Sequence, residues 1–265
     1  MKYMAPATLK EAEKLKDSLK KSRYLAGGTT LNWRSAPEGS PVIDLKNLPI
    51  HGIKKKGSAI EIGALTVLSD LKSSPLIPAG LKEAVGMFDA LNIRNMATVG
   101  GASAGAFFIS NILPVLIAYK ASAAYYFNSR KNTMLLENWL KEKKGILCSI
   151  LITHPKRRVY AAQDKVAAID FPSVVTAAGF NLTSGRIKDA VLAVSGLSGK
   201  LQVLTDAAAY LNSVSAEELD FSRLNSIVQE SISPSGNVKV SARVKRRFIE
   251  KQIREILDHI GRDSS

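Results

Sequence analysis

Residues 26–33 read Ala-Gly-Gly-Thr-Thr-Leu-Asn-Trp, and residues 97–103 read Ala-Thr-Val-Gly-Gly-Ala-Ser. Each segment follows a short apolar run, Tyr24-Leu25 in the first case and the stretch from Ile93 in the second. A glycine pair reaches backbone conformations that a Cβ forbids and lets N–H groups come close to an anion. The neighbouring threonines add hydroxyl donors. Two such segments suffice to cradle one pyrophosphate, and each taken singly also reads as a plain tight turn. Neither contains G-x-G-x-x-G or G-x-x-x-x-G-K-[ST], so the fingerprints of the common dinucleotide and nucleotide loops are missing.

Around the first segment the pattern is β-α-β. Thr8 and Glu11 have capping-box spacing, and Ala12, Leu15 and Leu19 recur at helical intervals, which predicts a helix over about 8–21. Short strands are expected at 24–26 and 42–45. Next comes a hairpin, residues 50–54 and 59–62 around Lys55-Lys56-Gly57-Ser58. Around the second segment, Leu81, Ala84, Val85 and Phe88 mark a helix. Ser110 or Asn111 caps an apolar helix to about Tyr119, in which Pro114 falls in the first turn. Strands at about 123–127 and 147–153 follow. Further on, 173–181 and 190–195 read as neighbouring strands joined by a turn at Thr183–Arg186, and 204–211 as a helix. A final helix carries Val244, Phe248, Ile249, Ile253, Ile256, Leu257 and Ile260 on one face.

The chain has 265 residues, long for one domain and comfortable for two. The pattern loosens at the basic, Pro-containing stretch His154–Arg158. The expected division is therefore 1–157, itself split near residue 53, followed by 158–265. Hydrophobic residues at 46% and charged residues at 23% describe an ordinary folded protein. One cysteine, Cys148, excludes an internal disulfide and a cysteine-ligated cluster. The most apolar stretch, 109–124, is interrupted by Asn111, Pro114 and Lys120 and is too short for a bilayer. With no apolar leader at the start, a reducing, cytoplasmic setting without membrane contact is expected.

A net charge of +14 raises the question of nucleic acid. The basic residues are, however, dispersed among carboxylates, as in KEAEKLKDSLKK and RVKRRFIEKQIR, and aromatics make up only 6%. Solvated faces or an acidic partner surface are expected, and no nucleic-acid role. His51, His154 and His259 fall in a turn, in the link and on the polar side of the last helix, so no general base is expected and no catalytic residue is assigned. Cys148 lies in an apolar strand and reads as a buried, inert thiol.

Taken in order, AGGTTLNW (26–33), IRNMATVGG (93–101), ISNILPVLIA (109–118), AIDFPSVVTAA (168–178) and SARVKRRF (241–248) resemble the FAD-binding medium subunits of molybdenum hydroxylases, the xanthine dehydrogenase and carbon monoxide dehydrogenase flavoproteins. The resemblance implies an α+β fold. It comprises a two-part FAD-binding domain of the vanillyl-alcohol-oxidase type and a small antiparallel sheet with helices behind it. It further implies FAD as cofactor, held by Ala26, Gly27, Gly28, Thr29, Thr30, Leu31 and Asn32, by Thr98, Val99, Gly100, Gly101 and Ala102, and by Asn111, Leu147 and Asp170. No metal site is implied in this chain. A partner with [2Fe–2S] clusters would supply electrons, NAD⁺ or another acceptor would take them, and a large molybdopterin-binding chain would hydroxylate the substrate. Trp33 and Phe107 are candidates for lining the flavin ring. Relatives carry Asn where Ala102 stands and Asp where Asn111 stands, so a second reading remains open: a binding or assembly module that kept the fold and lost functional FAD.

Overall fold

The computed structural model describes residues 2–29, 39–88, 90–105, 109–166, 171–199 and 201–264. The strands are β1 (Tyr3–Met4), β2 (Arg23–Leu25), β3 (Val42–Asp44), β4 (Ile53–Lys56), β5 (Ala59–Gly63), β6 (Ser122–Phe127), β7 (Arg130–Leu135), β8 (Ile146–Ile152), β9 (Arg158–Asp164), β10 (Val174–Thr183), β11 (Arg186–Ser195) and β12 (Gln202–Val203). The helices are α1 (Leu9–Ser18), α2 (Leu68–Ser73), α3 (Ala79–Gly86), α4 (Leu91–Arg94), α5 (Val99–Ala104), α6 (Ile112–Ala118), α7 (Leu136–Glu142), α8 (Thr205–Ser213), α9 (Phe221–Ser231) and α10 (Ala242–Ser264). Among the described residues no helix is long and apolar enough to cross a membrane.

Two compact units emerge. One comprises Met1–Ile77, Ala90–Gly105 and Lys120–Thr153, the other Pro78–Asp89, Ala106–Tyr119 and His154–Ser265. The units interleave along the chain because α3 packs on β9, and α6 on β10 and β11. No periodicity near α3 or α6 announces this, since both look like continuations of the segments around them.

The first unit begins as expected. Thr8 Oγ1 accepts the Glu11 N–H at 3.1 Å while the Glu11 carboxylate accepts the Thr8 N–H at 3.3 Å, so the capping box starts α1. The helix ends at Ser18 rather than near residue 21. Its strands form a parallel sheet in the order β1-β3-β2. The β4–β5 hairpin turns at Gly57, with φ +61°, and joins an antiparallel sheet in the order β4-β5-β8-β6-β7. The strand β7 and helix α7 were not legible in the sequence, because RKNTMLLENW mixes both periods.

The second unit is an antiparallel sheet in the order β12-β11-β10-β9 with helices against it. Ser184 (φ +49°) and Gly185 (φ +72°) form the tight turn of the β10–β11 hairpin where it was expected. In α10, Ile249, Ile253, Ile256 and Ile260 are buried at the intervals of one helical face. The second unit resumes at His154, inside the basic stretch His154–Arg158, and one residue of that stretch is firmly held. Arg157 is buried and donates through Nε to Ala118 O (2.7 Å) and through Nη2 to Gly179 O (2.7 Å) and to Asp189 O. Burial pulls its guanidinium below the usual arginine range.

Candidate functional site

The first glycine segment leaves β2 and turns at once. Gly28 has φ +72°, where a side chain is strained. At Gly27 the constraint is contact: a Cβ would lie 1.9 Å from the Met96 carbonyl oxygen and 3.2 Å from the Ala97 Cα. The two glycine segments, remote in the sequence, therefore meet backbone to backbone within the first unit.

The second segment is the start of α5 rather than a loop. Thr98 is extended, with φ −100° and ψ 153°, and its Oγ1 accepts the Gly101 N–H at 3.0 Å. The backbone here is sewn to residues 64–68. Leu68 N–H donates to Ala97 O at 2.8 Å, Val99 N–H to Thr66 O at 2.9 Å, and Gly100 N–H to Ala64 O at 2.8 Å. A Cβ on Gly100 would stand 2.6 Å from that same Ala64 oxygen. Ala64 N–H in turn donates to Cys148 O at 2.8 Å, which ties the arrangement to β8 and to Leu147, buried there opposite Tyr125.

Three of the four glycines are thus accounted for by the fold: Gly28 by its conformation, Gly27 and Gly100 by contact. Gly101 is not. It lies in the first turn of a helix with ordinary backbone, and a Cβ there would meet only Thr98 Oγ1, at 3.0 Å. Ala102 beside it is half-buried. On the same helix Ser103 is fully buried with a hydroxyl that has no partner among the described residues.

The donors are distributed unequally. Gly100 and Gly101 use their N–H groups within the fold, whereas those of Gly27, Gly28 and Thr29 have no partner among the described residues. The expectation that both glycine pairs aim N–H groups at an anion is corrected accordingly: the first segment offers donors, and the second offers a helix start with no side chain in the way. The residues present fit a pyrophosphate: the first segment has N–H groups unused among the described residues, and Gly101 carries no side chain.

Asn111 belongs to the second unit. It is buried, and its Nδ2 donates to Gln163 Oε1 at 2.5 Å. Ser110, not Asn111, caps α6, its Oγ accepting from Ile112 N–H (3.2 Å) and Leu113 N–H (3.1 Å). Thr30, Leu31, Asn32, Trp33, Phe107 and Asp170 lie outside the described residues. Cys148 is half-buried rather than buried, and burial pushes its thiol up to about 11, which leaves it protonated at neutral pH. His259 stacks on Tyr160 with ring centroids 4.7 Å apart.

The sequence reading missed the platform of Ala64 and Thr66, the Met96 carbonyl and the Gln163 partner of Asn111. A usable signal was the small residue Ala64 directly after β5, since a small residue is what a closely approaching helix start requires.

Residues 1–153 match the family model described as the FAD binding domain in molybdopterin dehydrogenase. The protein YgfM of Escherichia coli K12 is 26% identical over 92% of this chain and 90% of its own length. The carbon monoxide dehydrogenase medium chain of Hydrogenophaga pseudoflava is 37% identical over 37% of each chain, and the nicotine 6-hydroxylase medium subunit of Paenarthrobacter nicotinovorans is 24% identical over 98% of this chain and 97% of its own. Among solved structures, a carbon monoxide dehydrogenase from Hydrogenophaga pseudoflava superposes with TM-score 0.88 over 96% of this chain and 95% of its own, at 21% identity. Quinoline 2-oxidoreductase from Pseudomonas putida superposes with TM-score 0.86 over 100% and 98%, at 19% identity. These superpositions establish the α+β fold.

Proposed function

As the chain belongs to the family of FAD-binding domains of molybdopterin dehydrogenases, we propose that it is the electron-transferring medium subunit of a molybdenum hydroxylase. The observation that carries the reading is the meeting of the two glycine segments, Gly27 against Met96 and Ala97, together with a glycine of the second segment, Gly101, that the fold does not itself require. In this reading Ala26–Asn32 and Thr98–Ala102 hold the pyrophosphate of FAD, with a further contact from Leu147 of the same unit. FAD, when bound, supplies the exchange between one-electron and two-electron chemistry. The chain's own residues bind and orient. The N–H groups of Gly27, Gly28 and Thr29 donate to phosphate oxygens, Gly28 holds the turn that aims them, and Gly101 leaves room at the start of α5. No side chain is assigned a proton to move.

The partners in this reading are a [2Fe–2S] chain that delivers electrons and a large molybdopterin chain where substrate is hydroxylated, with NAD⁺ or another acceptor receiving the electrons. The second reading, an assembly module without flavin, draws on the Gly100 and Gly101 N–H groups already being engaged within the fold. Co-expression with the neighbouring reading frames and affinity purification decides. A complex containing iron, molybdenum and flavin supports the proposal, and so does an isolated chain that passes electrons from NADH to a dye yet hydroxylates nothing. A chain that stays alone, or that hydroxylates unaided, overturns it.

A further inference from the structure

The first glycine segment leaves the carboxyl end of β2, and beside that end, on the central strand of the parallel sheet, stands a buried charge. Asp44 closes β3 and is 7% exposed. The register sets Asp44 level with Leu25, the last residue of β2, and Tyr3 level with Val42, so Tyr3, Asp44 and Leu25 lie on one face. Leu25 carries that row on to the glycine turn: a Cβ on Gly28 would stand 3.4 Å from its Cδ1.

Both oxygens of the carboxylate are engaged. Tyr3 OH donates to Oδ2 at 2.5 Å, and Lys46 Nζ stands 3.8 Å from the same oxygen. Lys46 N–H donates to Oδ1 at 2.9 Å, which makes an Asx turn of residues 44–46. Within that turn Leu45 N–H donates at 2.9 Å to Leu25 O, the carbonyl directly before Ala26. One side chain thus sets where β2 ends and where Gly27-Gly28 begins. The N–H groups of Gly27, Gly28 and Thr29 are unused among the described residues, so the exit of β2, together with the contact of Gly27 on Met96, aims them. We propose that Asp44 is a positioning residue for the pyrophosphate of FAD: it touches no ligand and acts by holding the Asx turn, the Leu25 carbonyl and so the donors that follow. This rests on the reading above in which the first glycine segment holds that pyrophosphate. The effect is one of preorganisation, since a turn already set binds more tightly than one that must order on binding.

The test titrates the full chain, stripped of flavin, with FAD and with riboflavin. Asp44→Ala frees the turn, and ordering a residue anew on binding should weaken FAD about tenfold. Riboflavin, which has no pyrophosphate, should bind this variant as it binds wild type. Asp44→Asn keeps an acceptor for Lys46 N–H and should restore FAD affinity to within about twofold of wild type. Asp220→Ala, which removes the capping aspartate of α9 in the second unit, should lose stability and no FAD affinity. Unchanged FAD affinity in Asp44→Ala, an equal loss for both ligands, or no rescue by asparagine overturns the assignment of Asp44 and leaves the reading of the glycine segment standing. Should Asp44→Ala not fold, Tyr3→Phe decides in its place: a loss of about threefold for FAD alone supports the assignment, and wild-type affinity overturns it. A wild type that binds FAD and riboflavin equally, or takes up no FAD, overturns the reading of the segment and the role of Asp44 with it.

Discussion

Gly101→Ala separates what the fold needs from what the ligand needs. Alanine in place of glycine in a helix is favourable by about 1 kcal/mol. Against this, the new Cβ stands 3.0 Å from Thr98 Oγ1, so the hydroxyl must give by a few tenths of an ångström while it caps Gly101 N–H. The two effects nearly cancel. At about 2–4 °C per kcal/mol for a protein of this size, the melting temperature without flavin should stay within about 3 °C of wild type. Flavin binding should behave differently, because under the proposed assignment the methyl would stand where the pyrophosphate is held. A loss of about tenfold or more in affinity, about 1.4 kcal/mol, is expected in a titration followed by quenching of flavin fluorescence. Gly27→Ala is the counterpart. Its Cβ would meet the Met96 carbonyl oxygen at 1.9 Å, and moving that backbone away should cost about 1–3 kcal/mol. It should therefore lower the melting temperature as well as flavin affinity. Wild-type flavin affinity in Gly101→Ala would refute the reasoning, and so would a melting temperature as low as that of Gly27→Ala.

Three further outcomes follow from the described contacts. Asn111→Asp sets a buried carboxylate against Gln163 Oε1, 2.5 Å from the present donor, and should cost about 1–3 kcal/mol at pH 7; thermal unfolding should show a smaller loss near pH 4, where the protonated carboxyl donates in place of the amide. Cys148, with its thiol pushed up to about 11 from 9.0, should alkylate about a hundredfold more slowly than an ordinary thiol near pH 8, with the rate climbing until about pH 11. Because that group binds its proton more tightly when folded, it contributes stability below about pH 9 that is lost as the pH rises toward 11. Thr8→Ala removes the acceptor of Glu11 N–H and should cost about 1 kcal/mol in denaturant unfolding, with no change in flavin binding.

Much of this was legible in the sequence because local chemistry decided it. The capping box at Thr8 and Glu11, the Ser184-Gly185 turn and the isoleucine stripe of α10 each depend on neighbours within a few residues, and each formed where expected. What stayed hidden depends on contacts across the chain. That Gly100 is small for the sake of Ala64, and Gly27 for the sake of Met96, is written at neither glycine, since a glycine pair reads the same whether it meets a phosphate or a carbonyl. Nothing about Asn111 foretells Gln163, and the grouping of α6 with β10 and β11 follows from burial on all sides of an apolar helix. The second glycine pair also read as a loop, because a helix of six residues from Val99 to Ala104 is too short to show its period.

The claim at the centre is that the two glycine segments together hold one FAD. It is tested most directly by titrating the purified wild-type chain, stripped of any flavin, with FAD and with riboflavin, which lacks the pyrophosphate. FAD should bind at one equivalent per chain, restoring the visible absorbance bands of bound flavin, and riboflavin should bind far more weakly. Equal affinity for the two, or no uptake of FAD by a folded chain, would contradict it.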